Sequence, residues 1–158
     1  MRLSARSTST RTFVIFPLTV TLEQAVARRR WHPAGALLLV AGYLTYRLAG
    51  AYRLPRAGGP PGMSQGMPEE LVTSGPYRLT RNPMYLGHLL FLGGLVLATR
   101  SPVAAALLAA HVPWFSGRVR RDEERLHARF GAAYADYCRT VPRWLPRPTA
   151  SRAVRGSS

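Results

Sequence analysis

Apolar residues along this chain gather in long runs, separated by polar stretches rich in arginine or in glycine and proline. Phe13 to Leu22 is the first run, interrupted by Pro17 and followed by Glu23 and Gln24. A bilayer-crossing helix needs about 20 apolar residues, so this one spans only by recruiting Ala25 to Ala27, which puts the helix at 12–27. Ala34 to Leu54 has the length of a span by itself and predicts a helix over 34–54. Met84 to Ala98 and Val103 to Phe115 are joined by the short turn Arg100-Ser101-Pro102, so they predict a helical hairpin over 83–99 and 102–129. Such a hairpin returns Arg81 and Arg118 to one side of a membrane. Pro113 is expected to kink its second arm. Gly131 punctuates that arm, and a short helix follows over 132–138 with Tyr134 and Tyr137 on it.

The pattern as a whole predicts an all-α protein: an integral-membrane bundle of three to four transmembrane helices occupying residues 12–147. The Ser/Thr/Arg-rich residues 1–11 and the tail 148–158 read as disordered. Tyr43 and Arg47, four apart on one helix face, read as an interfacial anchor and a snorkelling arginine. Trp144 with Leu145 reads as a last interfacial anchor. Between Pro55 and Met67 so many glycines and prolines occur that no packed element survives. A long loop of that kind running straight into a polar signature suggests a cofactor lid, with Gln65, Glu69 and Glu70 as its polar groups.

Charge sharpens this picture. Lys and Arg total 22 against 7 acidic residues, for a net charge of +15, and every basic residue is arginine. Nucleic-acid binding would need a basic stripe or a motif aimed at phosphates. Here the arginines sit at the ends of apolar runs, which suits loops facing anionic lipid, so no nucleic-acid partner is expected. The excess of arginine on the side shared by Arg81 and Arg118 places that side in the cytoplasm, although Arg28 to Arg30 fall on the other side and run against the rule. The single Cys138 excludes an internal disulfide, and the four scattered histidines offer no metal site. No small-residue cleavage site follows the first apolar stretch, so a removable signal peptide is not expected.

Candidate chemistry concentrates between Leu71 and Leu86. Gly75-Pro76 is a turn dipeptide, and Asn82-Pro83 combines a favoured N-cap with proline at the first helical position. The first-turn amides of the helix begun there have no intrahelical partners and carry the positive end of its dipole, so the junction favours an anion.

The residues of this stretch are more specific than their physics. Gly75-Pro76-Tyr77-Arg78, Arg81-Asn82-Pro83-Met84-Tyr85-Leu86-Gly87, then Asp122-Glu123-Glu124, Leu126, Phe130-Gly131, Tyr134, Tyr137 and Val141-Pro142-Arg143 follow in order. Together they resemble the isoprenylcysteine carboxyl methyltransferase and phospholipid methyltransferase family over residues 71–146. The resemblance implies an integral-membrane S-adenosylmethionine-dependent methyltransferase; the composition suggests a bacterial inner membrane, and the arginine distribution has the cofactor site facing the cytoplasm. It implies cofactor contacts at Leu71, Val72, Tyr77, Asn82, Pro83 and Tyr85, and a cofactor-binding carboxylate among Asp122, Glu123 and Glu124, with Glu123 favoured. Many members have histidine where this chain has Asn82, which cannot titrate and so offers no general base. Arg118 matches an acceptor-contacting position. His88, one turn beyond Met84, is the titratable side chain expected to face the pocket. The acceptor would be a lipophilic or small carboxylate, amine or thiol. A sterol-reductase-like enzyme using NADPH is the alternative, but those resemble Asn-Tyr followed by Gly-Glu or Gly-Asp, and here the helix reads Met84-Tyr85-Leu86-Gly87-His88. A non-enzymatic arginine-rich lipid-binding protein is the third reading. The sequence leaves the oligomeric state open.

Overall fold

The computed structural model describes residues 7–28, 30–57 and 68–145. Among these residues every regular element is helical, as the apolar pattern predicts. Helix α1 (Thr8–Thr10) passes through a π-helical turn, Arg11–Ile15, into α2 (Phe16–Val26). Helix α3 (Ala36–Ala57) runs back, α4 (Pro83–Thr99) goes out again, and α5 (Pro102–Thr140) returns.

Several boundaries differ from the expectation. The first helix begins at Thr8 inside the segment expected to be disordered, because tertiary contacts hold it: the Tyr46 hydroxyl donates to Ser9 Oγ at 2.7 Å, and Phe13 packs on Tyr43, Tyr46, His88 and Phe91. Helix α5 keeps helical backbone angles at Pro113, where a kink was expected, and breaks at Gly131 (φ 50°, ψ −121°), as expected, in a conformation open to glycine. Residues 58–67 of the expected lid and the tail 148–158 lie outside the described residues. One described helix, Pro33–Pro55, is long and apolar enough to cross a bilayer, and Pro83–Thr99 is a shorter apolar helix, against the three to four spans expected.

Among the described residues, α3 and α4 form the most extensive helix pair. Glycines face one another along it: a Cβ on Gly42 would lie 2.7 Å from the Gly87 carbonyl, and one on Gly35 would lie 2.2 Å from the Gly94 carbonyl. Backbone therefore meets backbone, as in small-residue helix interfaces of membranes. Helix α4 in turn packs on α5 through Tyr85, Phe115 and Val119.

At the end of the bundle away from the Asn82-Pro83 step, the α4–α5 turn is locked. Arg100 is left-handed (φ 49°), and Ser101 caps α5, its Oγ accepting from the Ala104 amide at 3.1 Å while donating to the Glu23 carboxylate. Losing an N-cap costs about 1 kcal/mol, so Ser101→Ala is expected to lower stability by at least that, since Glu23 loses a partner too. Chemical denaturation in detergent would show the loss, with Ser101→Thr close to the parent chain and Ser101→Asp no better than alanine because its carboxylate would oppose Glu23.

Candidate functional site

The hairpin brings the Asn82-Pro83 step against the acidic segment of α5. Asn82 does not cap α4 through its side chain, as the sequence suggested. Its Nδ2 donates instead to Glu123 Oε1 at 3.0 Å and to the Arg143 carbonyl at 3.2 Å, joining the helix start to α5 and to the segment after it. Arg81 Nε donates to Glu123 Oε1 at 3.2 Å, and its Nη1 donates to the Cys138 and Val141 carbonyls at 3.0 and 3.2 Å. Arg143 meets Glu123 Oε2 through Nε at 2.9 Å and Nη2 at 2.7 Å. That hydrogen bond holds the Arg143 guanidinium above its ordinary pKa.

Glu123 is thus a buried hub whose two oxygens are already occupied by Arg81, Asn82 and Arg143. The next carboxylate behaves differently. Asp122 Oδ2 accepts from the Tyr85 hydroxyl at 2.6 Å, and its other contact is the exposed Arg125 at 3.8 Å.

A cleft opens beside this junction. Its cavity volume is about 60 Å³, and it is partly open to solvent. Of the residues the sequence singled out, Leu71, Val72, Tyr77, Asn82, Pro83, Tyr85 and Asp122 line it. Glu123, Glu124, Arg118 and His88 are not on its wall. Glu123 faces the arginines, and Glu124 is exposed on the outside of α5. Arg118 lies over the Trp114 ring at 5.2 Å and beside the Tyr85 hydroxyl. His88 is sealed in the bundle, its ring 4.7 Å from Phe13, 4.9 Å from Tyr46 and 5.5 Å from Phe115 by centroids, with neither nitrogen hydrogen-bonded. Trp144, expected at a membrane interface, packs on the Tyr85–Phe115–Val119 cluster.

The cleft also contains Arg53, Arg81, Met84, Leu126 and Tyr137, which the sequence did not single out as contacts. Arg53 had a signal: an arginine in the last turns of an apolar helix that must end on this side. The loop wall is held by Tyr77, whose carbonyl accepts from the Tyr137 hydroxyl at 2.6 Å, and by Val72 and Tyr77 packed on Ala49 and Met84.

With this arrangement in place, the profile of the phospholipid methyltransferase family matches residues 31–133. The chain belongs to that family. Among curated relatives, the chain is 40% identical over 77 residues to the cobalt-zinc-cadmium resistance protein CzcN of Cupriavidus metallidurans, covering 49% of this chain and 36% of the relative. It is 34% identical over 79 residues to protein-S-isoprenylcysteine O-methyltransferase B of Arabidopsis thaliana, covering 49% of this chain and 40% of the relative. These matches span less than half the length of either relative. No solved structure matches the chain. Membership in a methyltransferase family favours neither the reductase nor the non-enzymatic reading.

Proposed function

We propose that this chain is an integral-membrane methyltransferase that takes its methyl group from S-adenosylmethionine and passes it to a lipophilic or small carboxylate, amine or thiol acceptor. The observation that carries the reading is the Tyr85–Asp122 pair at 2.6 Å, which sets a carboxylate into a cleft at the start of α4. The lining of that cleft suits the cofactor: a carboxylate for a cation, helix-start amides for an anion, and Leu71, Val72, Met84 and Leu126 as apolar walls.

When bound, the cofactor supplies an electrophilic methyl group on a sulfonium. Displacement at such a carbon needs alignment and exclusion of water more than proton transfer. The chain meets that need with fixed groups. Tyr85 fixes the Asp122 carboxylate, Asn82 ties the helix start to α5, and the apolar walls keep water out.

A membrane setting is supported by the outward faces of the bundle. Leu18, Leu22 and Val26 line one face of α2, and Leu37, Val40, Leu44 and Leu48 line one face of α3, each more than half exposed. Apolar stripes of that extent need a partner phase, and lipid supplies it. The span Pro33–Pro55 would then carry Arg53 to the cytoplasmic side with the cleft.

The test is binding of S-adenosylhomocysteine to detergent-purified protein by calorimetry. Asp122→Asn is expected to weaken it at least tenfold, about 1.4 kcal/mol, with Tyr85→Phe losing less. Label from methyl-tritiated S-adenosylmethionine appearing in a membrane lipid or a volatile product would identify the acceptor. No binding by the parent chain at millimolar ligand would end this reading.

A further inference from the structure

Two faces of α5 differ sharply where it passes the cleft. Phe115, Val119, Glu123, Leu126 and Phe130 recur at intervals of three and four and turn inward. The first two pack on Tyr85, Glu123 meets Arg81 and Arg143, and the last two pack on the Tyr134–Tyr137–Val141 cluster. Trp114, Arg118, Arg121 and Arg125 recur at the same intervals about 130° round the axis, on an outward face. Trp114 is 39% exposed, Arg121 is exposed, and the Arg125 side chain is 68% exposed.

Nearer the start of α5 the same register carries Val103 and Leu107, which pack against Val20 of α2. Phe16, the first residue of α2, meets His111 at 5.1 Å between ring centroids, just short of Trp114. The stripe therefore changes from apolar and covered to cationic and exposed at Trp114, with the Arg118 guanidinium 5.2 Å over the indole at the boundary. Neighbouring acids do little to offset it. Glu123 is taken by the arginine hub and Asp122 by Tyr85, while the Asp122–Arg125 contact at 3.8 Å joins two solvent-exposed side chains and is weak. That leaves Glu124, exposed beside two arginines.

A tryptophan at the end of an apolar helical segment marks the level of lipid headgroups. Arg121 and Arg125 follow about 10 and 16 Å further along the axis. Helical side chains lean toward the N-terminus, which for α5 is back toward the bilayer, and long arginine stems let the guanidinia reach the phosphate layer. A guanidinium fork matches phosphate oxygens in shape and charge. We propose that this outward face of α5 binds the phosphodiester groups of anionic phospholipids in the leaflet next to the cleft, with Arg121 and Arg125 as the phosphate ligands and Trp114 at the acyl-chain boundary. Lipid fits better than nucleic acid because the arginines continue a face that begins with Trp114, beside the exposed apolar stripes of α2 and α3. The inference goes beyond methyl transfer and rests on the membrane setting alone.

The full chain with Trp114 as its only tryptophan (Trp31→Phe, Trp144→Phe) is reconstituted in vesicles, and quenching by brominated phosphatidylglycerol is compared with quenching by brominated phosphatidylcholine. The anionic lipid is expected to associate at least about fivefold more strongly beside Trp114, and Arg121→Gln/Arg125→Gln to bring the two lipids within about twofold. Arg78→Gln/Arg139→Gln, which removes the same charge from exposed sites off this stripe, should keep the preference. Thermal melts establish that each variant is folded. Native mass spectrometry of the unaltered chain and the Arg121→Gln/Arg125→Gln chain, each released from mixed micelles of the two lipids, gives the same comparison without the tryptophan substitutions. Equal association of both lipids with the parent chain would overturn the proposal, as would an unchanged preference in Arg121→Gln/Arg125→Gln. An equal loss in the Arg78/Arg139 variant would overturn it too, because net charge rather than this face would then set the preference. Quenching of Trp114 by neither lipid would remove the proposal together with the membrane setting, and would leave cofactor binding to be judged by its own titration.

Discussion

Glu123→Ala is expected to destabilise the folded chain by about 3 kcal/mol, at the low end of what removing one partner of a buried ion pair costs. The Glu123 side chain is 10% exposed and Arg81 12%, whereas Arg143 is 45% exposed, which is why the lower figure applies. Alanine would leave the Arg81 and Arg143 guanidinia facing each other in a chain that already carries +15. It would also remove the bond from Asn82 Nδ2 to α5, leaving that amide only the Arg143 carbonyl. Glu123→Gln keeps an acceptor for Asn82 and loses only the charge, so it should fall between. Thermal melts in detergent, followed by S-adenosylhomocysteine titration, separate this role from direct cofactor contact. A hub loses stability and ligand affinity together. A direct ligand would lose affinity in Glu123→Gln with the melting point unmoved, and that result would return Glu123 to the cleft.

The contrast between Glu123 and its neighbour marks where the sequence stops being readable. The hairpin itself was legible, because Arg100-Ser101-Pro102 is too short a turn to do anything but fold α5 back along α4. So was the junction, since the Asn82-Pro83 step and the acidic segment had to arrive at one side. Successive residues on a helix, however, point about 100° apart, as 3.6 residues per turn requires. Which of Asp122, Glu123 and Glu124 enters the cleft thus depends on the rotation of α5 about its axis, fixed by Phe115 and Val119 packing on Tyr85. The same reason moves His88: one turn beyond Met84 is the right spacing for the cleft, yet Phe13, carried by the π-helical turn before α2, covers that imidazole. A composition of serine, threonine and arginine could not announce that residues from Thr8 onward would be held by Tyr46. Arg53 was missed for a simpler reason, since it lies outside the stretch that carries the family signature.

Gly87→Leu is expected to abolish the folded protein, the largest effect among these substitutions. Its Cβ alone would lie 2.7 Å from the Gly42 carbonyl and 2.8 Å from the Tyr46 amide, and these are backbone atoms that cannot rotate away. Gly42→Leu should do the same, with its Cβ 2.4 Å from the Phe91 amide. Glycine rarity in helices gives the control: Gly93 has open space around its Cβ position, so Gly93→Ala should be neutral or stabilise by up to about 1 kcal/mol. Recovery of monodisperse protein in detergent and its melting temperature measure all three. A Gly87→Leu chain that melts like the parent would mean that α3 and α4 do not touch through these glycines. The consequence reaches the cleft, because the two helices bring different halves of it. Helix α3 delivers Arg53 and the Ala49 face, α4 delivers Met84 and Tyr85, and only the missing side chains at Gly42 and Gly87 let them stand close enough to close one wall.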